Sequence, residues 1–299
     1  MAVAANRSTH VVIGRVRLSL SGALSRLYTR RRSALIAVIA MAAAGSGFLL
    51  GGRFSRVPAE SAVPRMPDGH PDLSGIWQAV GAAYWDLEGH AARGGPLAAL
   101  GAAGAIPASL GVVEGGTIPY QPWAAARKAE NQAHWLSADP EVKCYMPGVP
   151  RATYMPFPFQ IVQDTEDVLI AYEFASASRS IRLGKIEALP LETWMGQSSG
   201  SWDGDTLVVD VTGFTADTWF DRAGNFHSNA LHVVERYTPI GRDRLRYDVT
   251  VEDPGVFTRP WRMSMPLYRR AEPNMQLLEF KCVEFAEELL YGHLYKDAR

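Results

Sequence analysis

The body of this chain predicts an all-β domain, an up-and-down antiparallel barrel with one or two short helices and one long loop. Three observations carry that prediction. Short runs rich in β-branched and aromatic residues follow one another from residue 155 onward. Several of them alternate apolar and polar side chains, the period of a half-buried strand. The turns between them are short and polar, as in barrels and sandwiches, and about seven or eight strands result.

Ile76-Trp77, after Gly75, opens the first strand. Phe159 to Gln163 and Val168 to Glu173 flank a polar turn at Asp164-Thr165-Glu166-Asp167 and read as a hairpin. Arg179 to Leu183 adds a short strand. Ser201 to Thr212 contains Asp203-Gly204, a strong hairpin signal, ahead of a β-branched run. Leu231 to Thr238 then pairs with Arg244 to Glu252. In the latter, Leu245, Tyr247, Val249 and Val251 alternate with Arg246, Asp248, Thr250 and Glu252, giving one buried and one wet face. Met275 to Phe285 closes the series, and the alternation of Leu278, Phe280 and Cys282 points Cys282 into the core.

A helix starts at Pro122, whose missing N–H is harmless in a first helical position. Its apolar stripe is Trp123, Ala126, Ala129, Ala133 and Leu136, and it stops before Asp139-Pro140. Glu284 to Tyr295 predicts a short terminal helix. Between Gly81 and Thr117 the Ala/Gly-rich sequence has little charge and no stable period, so it reads as a long loop across one barrel mouth.

From Met1 to Ala59 there is no acidic residue, while Arg7, Arg15, Arg17, Arg26 and Arg30-Arg31-Arg32 are basic. An uncharged run over 34–52 follows at once. A basic segment, an apolar run and small residues around Ala40 to Ala44 make a secretory signal. Thr29-Arg30-Arg31-Arg32 resembles a twin-arginine signal, except that Ser33 and Ala34 stand where hydrophobic residues are expected. The run also fits a spanning range of roughly 17–25 residues, so an uncleaved anchor is the alternative. Basic flanks stay cytoplasmic, so either reading places the body outside the cytoplasm, periplasmic or secreted, with a possible inner-membrane tether through 34–52. The domains are therefore 1–52 as export leader or membrane anchor, 53–70 as a flexible tether, and 71–299 as one barrel.

The seven arginines of residues 1–52 face no acid there, so without them the formal charge moves from −1 to −8. An acidic body argues against nucleic acid as a partner, because phosphate binding needs clustered Lys and Arg. Cys144 and Cys282 are the chain's two cysteines. In an oxidising compartment a disulfide between them is the expectation, with two buried free thiols the alternative.

Motifs along the body resemble a family of exported bacterial proteins with no settled activity. They are PDLSGIW (71–77), GVVEGG-x-IPY-x-PWA (111–124), GVPR (148–151), WMGQSSGSWDGDTLVVDVTGF (194–214), TWFDRAGNFHS (218–228), ERY (235–237) and EFKCVE (279–284). The resemblance spans nearly all of the body. Where such proteins tend to carry Asp-Gly-Arg-x-His-Pro, this chain has Leu183-Gly184-Lys185 through Ala188-Leu189-Pro190, so no role rests on that histidine. The Gly75-x-Trp77 opening is similar to that of lipocalin-like barrels, which implies a lipocalin-like fold with an interior ligand cavity.

The segment from Asp217 to Ser228 concentrates two carboxylates, an indole, an imidazole and hydroxyls. His227 titrates near neutral pH and suits general acid–base work, with Asp221 to fix its tautomer; a merely structural polar loop is the alternative. Alternation places Glu235 on one face with Leu231, Val233 and Tyr237. There it is either a buried acid of raised pKa or a structural partner of Arg151, Arg179 or Arg182. His227, Asp221 and Glu235 are thus the candidate catalytic residues. Arg151, Arg179, Trp219, Trp194 and Tyr172 are candidates to hold a ligand, and Glu88 and His90 reach over the mouth from the long loop.

Gly196-Gln197-Ser198-Ser199-Gly200 matches the Gly-x-Ser-x-Gly nucleophile elbow, yet a strand follows instead of a helix, so a close-packed approach to a hairpin is the better reading. No metal-ligand spacing and no phosphate-binding glycine loop occurs, and neither a metal nor a nucleotide cofactor is expected. Trp85, Trp123, Trp194, Trp202 and Trp219 fall in or beside loops, which suits a small hydrophobic or aromatic ring compound, or a sugar. Two functions follow as expectations: a cofactor-independent lyase, isomerase or hydrolase, or a non-catalytic carrier of the same ligands.

Overall fold

The computed structural model describes residues 62–293 except 96, 97, 186 and 188. The expected leader or anchor over 1–52, and residues 53–61 of the expected tether, lie outside the described residues. Among the described residues no helix is long and apolar enough to cross a membrane.

Nine strands form a closed barrel in chain order: β1 (Gly75–Ala79), β2 (Phe159–Gln163), β3 (Asp167–Tyr172), β4 (Ser178–Leu183), β5 (Gln197–Asp203), β6 (Thr206–Thr212), β7 (His232–Gly241), β8 (Arg244–Glu252) and β9 (Trp261–Arg269). β1 pairs with β9 to close the ring. All neighbours are antiparallel except β4 and β5, which run parallel from Ile181↔Ser198 to Leu183↔Gly200. Parity demands this. Strand directions alternate all the way round a ring only when the number is even, so nine strands force a parallel junction. Residues 184–196 carry the chain back to start β5 beside the start of β4.

The closing strand differs from expectation. Met275 to Phe285 forms no strand, because a closed barrel leaves no edge to pair with. β9 closes the ring instead, burying Trp261, Met263, Met265 and Leu267 at every second position. Pro266 lies just past the point where β1 ends, at the Ala79↔Leu267 pair. There β9 is covered by the long loop, where Ser264 N–H donates to Val112 O and Glu114 N–H to Arg262 O. Cys282 is exposed, not in the core. It is bonded to Cys144, with 5.7 Å between their Cα atoms, and so straps the C-terminal segment to the residues after the main helix.

That helix, α1 (Pro122–Ala133), starts at proline as expected but buries a different face. Ala124 and Asn131 are buried, whereas Trp123, Ala126, Ala129 and Ala133 are exposed. The period is right and the phase is off by about one residue, or 100°. The cause is what α1 packs against. Gly224, at φ +83°, brings loop backbone so close that a Cβ would sit 2.6 Å from Gln132 N. Asn131 Nδ2 donates to Gly224 O at 3.2 Å, which rewards an amide there. Three one- or two-turn helices complete the set: α2 (Trp135–Ala138), α3 (Arg151–Tyr154) and α4 (Ala286–Tyr291).

Residues 62–70, expected as tether, pack on the barrel. Arg65 pairs with Asp205 through two 2.7 Å hydrogen bonds, and His70 stacks on Trp202 at 4.6 Å. The interior, expected as a ligand cavity, is filled. Trp77, Phe159, Tyr237, Tyr247 and Met263 are fully buried against one another, as side chains fill small barrels.

The two ends of the barrel differ. One end carries the tight β2–β3, β5–β6 and β7–β8 hairpins, with residues 62–74 leading into β1 beside them. The other collects the long connections: 80–158 after β1, 213–231 between β6 and β7, and 253–260 between β8 and β9. The polar residues singled out in the sequence gather toward this second end.

Candidate functional site

The connection 213–231 folds around Asp221. Phe220 N–H donates to Asn225 O at 2.7 Å, and Trp219 bridges to Phe226, so residues 219–226 close into a tight loop. Asp221 takes the N–H groups of Ala223 (3.0 Å), Asn225 (3.2 Å) and Leu87 (2.8 Å), together with Asn225 Nδ2 (2.6 Å). Burial pushes its carboxyl up to about 7; the Asp86 charge adds to this, while Asn225 and Leu87 oppose it. Asp221 therefore organises the loop. The expected pairing with His227 is not made, because donors from the loop and from Leu87 occupy both carboxylate oxygens.

His227 is held by other groups. Its Nδ1 lies 2.8 Å from Ser228 O and its Nε2 2.6 Å from Thr218 Oγ1. A carbonyl oxygen only accepts, so Nδ1 carries the proton and Nε2 accepts from the Thr218 hydroxyl. Burial pushes the imidazole pKa down against the Ser228 carbonyl and the Asp253 and Asp217 charges, and the ring is neutral. Phe220 and Phe214 pack against it at 5.2 and 5.9 Å. Asp253 fixes Ser228 by accepting from its N–H (2.6 Å) and hydroxyl (3.0 Å). Thr218 sits against Gly148 of the GVPR loop, where a Cβ would come within 2.7 Å of Oγ1.

His227 and Trp219 line one open cleft of about 530 Å³ with Trp123, Phe226, Tyr145, Arg127 and Lys143. Phe226 meets Trp123 edge-on at 6.0 Å and stacks on Tyr120 at 6.1 Å. Trp123 is 57% exposed and Tyr145 44%, so flat apolar faces stand open to solvent, with Arg127, Lys143 and Asp217 beside them.

The other candidates lie elsewhere. Glu235 is wholly buried in the barrel, where Arg179 grips it through Nη1–Oε2 at 2.5 Å and Nη2–Oε1 at 3.0 Å. Tyr247 and Tyr237 donate to Glu235 Oε1 at 2.5 and 3.0 Å. Of the two readings of Glu235, the structural partner of Arg179 is the one realised. Tyr172 is buried beside them, its hydroxyl 3.5 Å from Thr153 Oγ1, and burial pushes its phenol up. Arg151 forks onto Asp139 (2.8 and 2.9 Å) and reaches Glu141 (2.6 Å). Arg222 forks onto the same Glu141 at 2.8 and 2.9 Å and lies over Trp85 at 4.6 Å. Burial pushes Glu141 up, but the Arg151 and Arg222 charges and hydrogen bonds outweigh it and hold it below its ordinary range.

Glu88 and His90 do not reach over the cleft. Glu88 accepts from Ile118 N–H at 2.7 Å, and His90 Nδ1 bonds Ala91 O at 3.0 Å, so both fold the long loop on itself. Trp194 lines a neighbouring cleft, and its ring contacts Tyr145 at 4.9 Å. The expected catalytic set is thus dispersed: His227 borders a cleft, whereas Asp221 and Glu235 have no exposed surface. Among the described residues no group of three or more His, Cys, Asp or Glu is placed to hold a metal ion.

Sequence reasoning missed Thr218, Trp123, Phe226, Tyr145, Arg127 and Lys143 as site residues. For the aromatic wall a signal existed, since Trp123 and Trp219 were both loop-side indoles. Thr218 had none, because a nine-residue separation from His227 says nothing about contact. Tyr237 was readable from the alternation that turned Glu235 inward, and Tyr247 from that of its own strand.

No family model matches this chain, and no curated protein or solved structure matches it. The functional reading rests on the geometry above.

Proposed function

We propose that this chain is an exported binding protein for a small, flat hydrophobic or aromatic ring compound bearing a negative group. It holds the ring in the cleft of Trp123, Trp219, Phe226 and Tyr145. The carrying observation is the composition of that cleft: exposed aromatic faces with two cations, Arg127 and Lys143, against one carboxylate, Asp217, while Asp221 and Glu235 are sealed away from solvent. Arg127 already faces Glu130 at 3.6 Å, which makes Lys143 the cation for the negative group. Aromatic walls with a few placed polar groups are the usual make-up of a small-molecule site. The leader-like sequence and the Cys144–Cys282 bond support export, and the reading needs no cofactor or nucleic acid.

Titration with 1-naphthoate, followed by calorimetry, tests this. Trp219→Ala and Trp123→Ala each weaken binding about tenfold, the scale of a lost aromatic contact. Lys143→Ala weakens 1-naphthoate but leaves 2-naphthol unchanged. Equal binding by all variants removes the proposal.

One observation favours a second reading, cofactor-independent acid–base catalysis of lyase, isomerase or hydrolase type. His227 borders the same cleft as a neutral imidazole 2.6 Å from the Thr218 hydroxyl, a base already paired with a proton donor. In that case His227→Ala abolishes turnover of a ring substrate and keeps its binding. In the carrier reading there is no turnover to lose.

A further inference from the structure

A second open cleft, of about 700 Å³, lies at the parallel β4–β5 junction. The ladder there has only three pairs, starting at Ile181↔Ser198, so Ser178 to Ser180 at the head of β4 have no partner on β5. The residues lining the cleft include Arg179 and Ser198, which strand alternation turns inward. Both are more than nine-tenths buried. Ser198 Oγ has no hydrogen-bond partner, and neither has Arg179 Nε, although the other guanidinium nitrogens hold Glu235. A buried polar atom without a partner costs about 1–3 kcal/mol, so such atoms in a cleft wall call for an explanation.

Ser198 is also the central serine of Gly196-Gln197-Ser198-Ser199-Gly200. It lies on a strand with no base bonded to its hydroxyl, so it is not an activated nucleophile. What it offers is a hydrogen bond. Arg179, two residues from Ile181 on the same face, offers a second donor, and Trp194, Met195 and Met146 supply an apolar wall.

Charge decides what these donors accept. Glu235 already balances Arg179, and Arg182 faces Asp167 at 3.4 Å. Glu187, also in the wall, leaves the cleft with no spare positive charge. We propose that the β4–β5 cleft is a second binding site, which takes a neutral carbonyl oxygen on an apolar body, as in an aryl ketone, amide or ester. The oxygen accepts from Ser198 Oγ–H and Arg179 Nε–H. This site stands independently of the Trp219 cleft.

The test uses acetophenone, benzamide and benzoate on the folded protein carrying Trp219→Ala, which weakens aromatic-anion binding in the other cleft, and is read by calorimetry and thermal melting. Acetophenone and benzamide bind saturably, and benzoate binds at least tenfold more weakly. Ser198→Ala weakens acetophenone about 3- to 10-fold, the worth of one neutral hydrogen bond. The same change keeps or raises the melting temperature, because an unpartnered hydroxyl has been removed. Arg179 is left intact, since its loss strands Glu235. Trp219→Ala leaves acetophenone affinity unchanged, which separates this site from the naphthoate cleft. Unchanged affinity in Ser198→Ala, benzoate binding as tight as acetophenone, or no saturable binding of either neutral probe overturns the proposal.

Discussion

The two ends of this barrel obey different physics. At one end, hairpins such as Asp203-Gly204-Asp205-Thr206 turn in the fewest residues, and the contacts are exposed, as between Arg65 and Asp205. At the other, connections of up to about eighty residues carry buried charges that are paired or hydrogen-bonded. Arg151, Asp139, Glu141 and Arg222 form one such network, and Asp221 gathers its loop through four N–H donors. The ladder sets the first end, and buried polar chemistry sets the second. A cleft for a ligand forms where backbone is free of the ladder and has to be organised by side chains.

Breaking the second end has the largest expected effects. Replacing both Cys144 and Cys282 by Ser releases a bond spanning 138 residues. It lowers unfolding stability by about 4–5 kcal/mol in the chain-entropy treatment, measured by urea denaturation. A loss near zero would mean that the C-terminal strap does not constrain the fold. Arg151→Ala leaves Asp139 and Glu141 buried without their main partner. It costs about 3–5 kcal/mol in the same assay.

Asp221 gives a pH signature. Its carboxyl is raised in the folded protein to about 7. Between its unfolded value of about 3.9 and 7, the unfolded chain ionises this group more readily than the folded one. Its contribution to stability therefore falls as pH rises through that window and is flat above it. In Asp221→Asn this contribution is absent, so the difference between wild type and variant shrinks from pH 4 to pH 7. Denaturation at each pH reads the slope, about 1.4 kcal/mol for each unit of pKa separation. A difference that grows with pH contradicts the burial argument. At the first end, Arg65→Ala, which breaks a fully solvated pair, leaves the urea midpoint unchanged.

The same contrast explains what was legible in the sequence. β2 falls where the hairpin signal put it, at Phe159–Gln163, and β8 where alternation put it, at Arg244–Glu252, because both signals are local. β9 was hidden by Pro260 and Pro266, and Leu278, Phe280 and Cys282 imitated a strand that has no edge to join. Whether a proline is tolerated, or an alternating run has a partner, depends on where other strands end. In the site, His227, Trp219 and the inward turn of Glu235 were readable from residue type and parity. Their partners were not. Asp221 and His227 are six residues apart, yet the loop turns each toward different groups, Asp221 to Leu87 and His227 to Thr218. The exposed face of α1, which supplies Trp123 and Arg127 to the cleft, was fixed by Gly224 pressing on the opposite side.

Backbone amide chemical-shift mapping during titration with 1-naphthoate decides whether the ligand sits at the loop end, since it reports both ends at once. Saturable shifts are expected only in the cleft residues around Trp123 to Tyr145 and Asp217 to Ser228. The hairpins at 164–166, 204–205 and 242–243 stay still. Shifts centred on those hairpins, or no saturable shift anywhere, would contradict that placement.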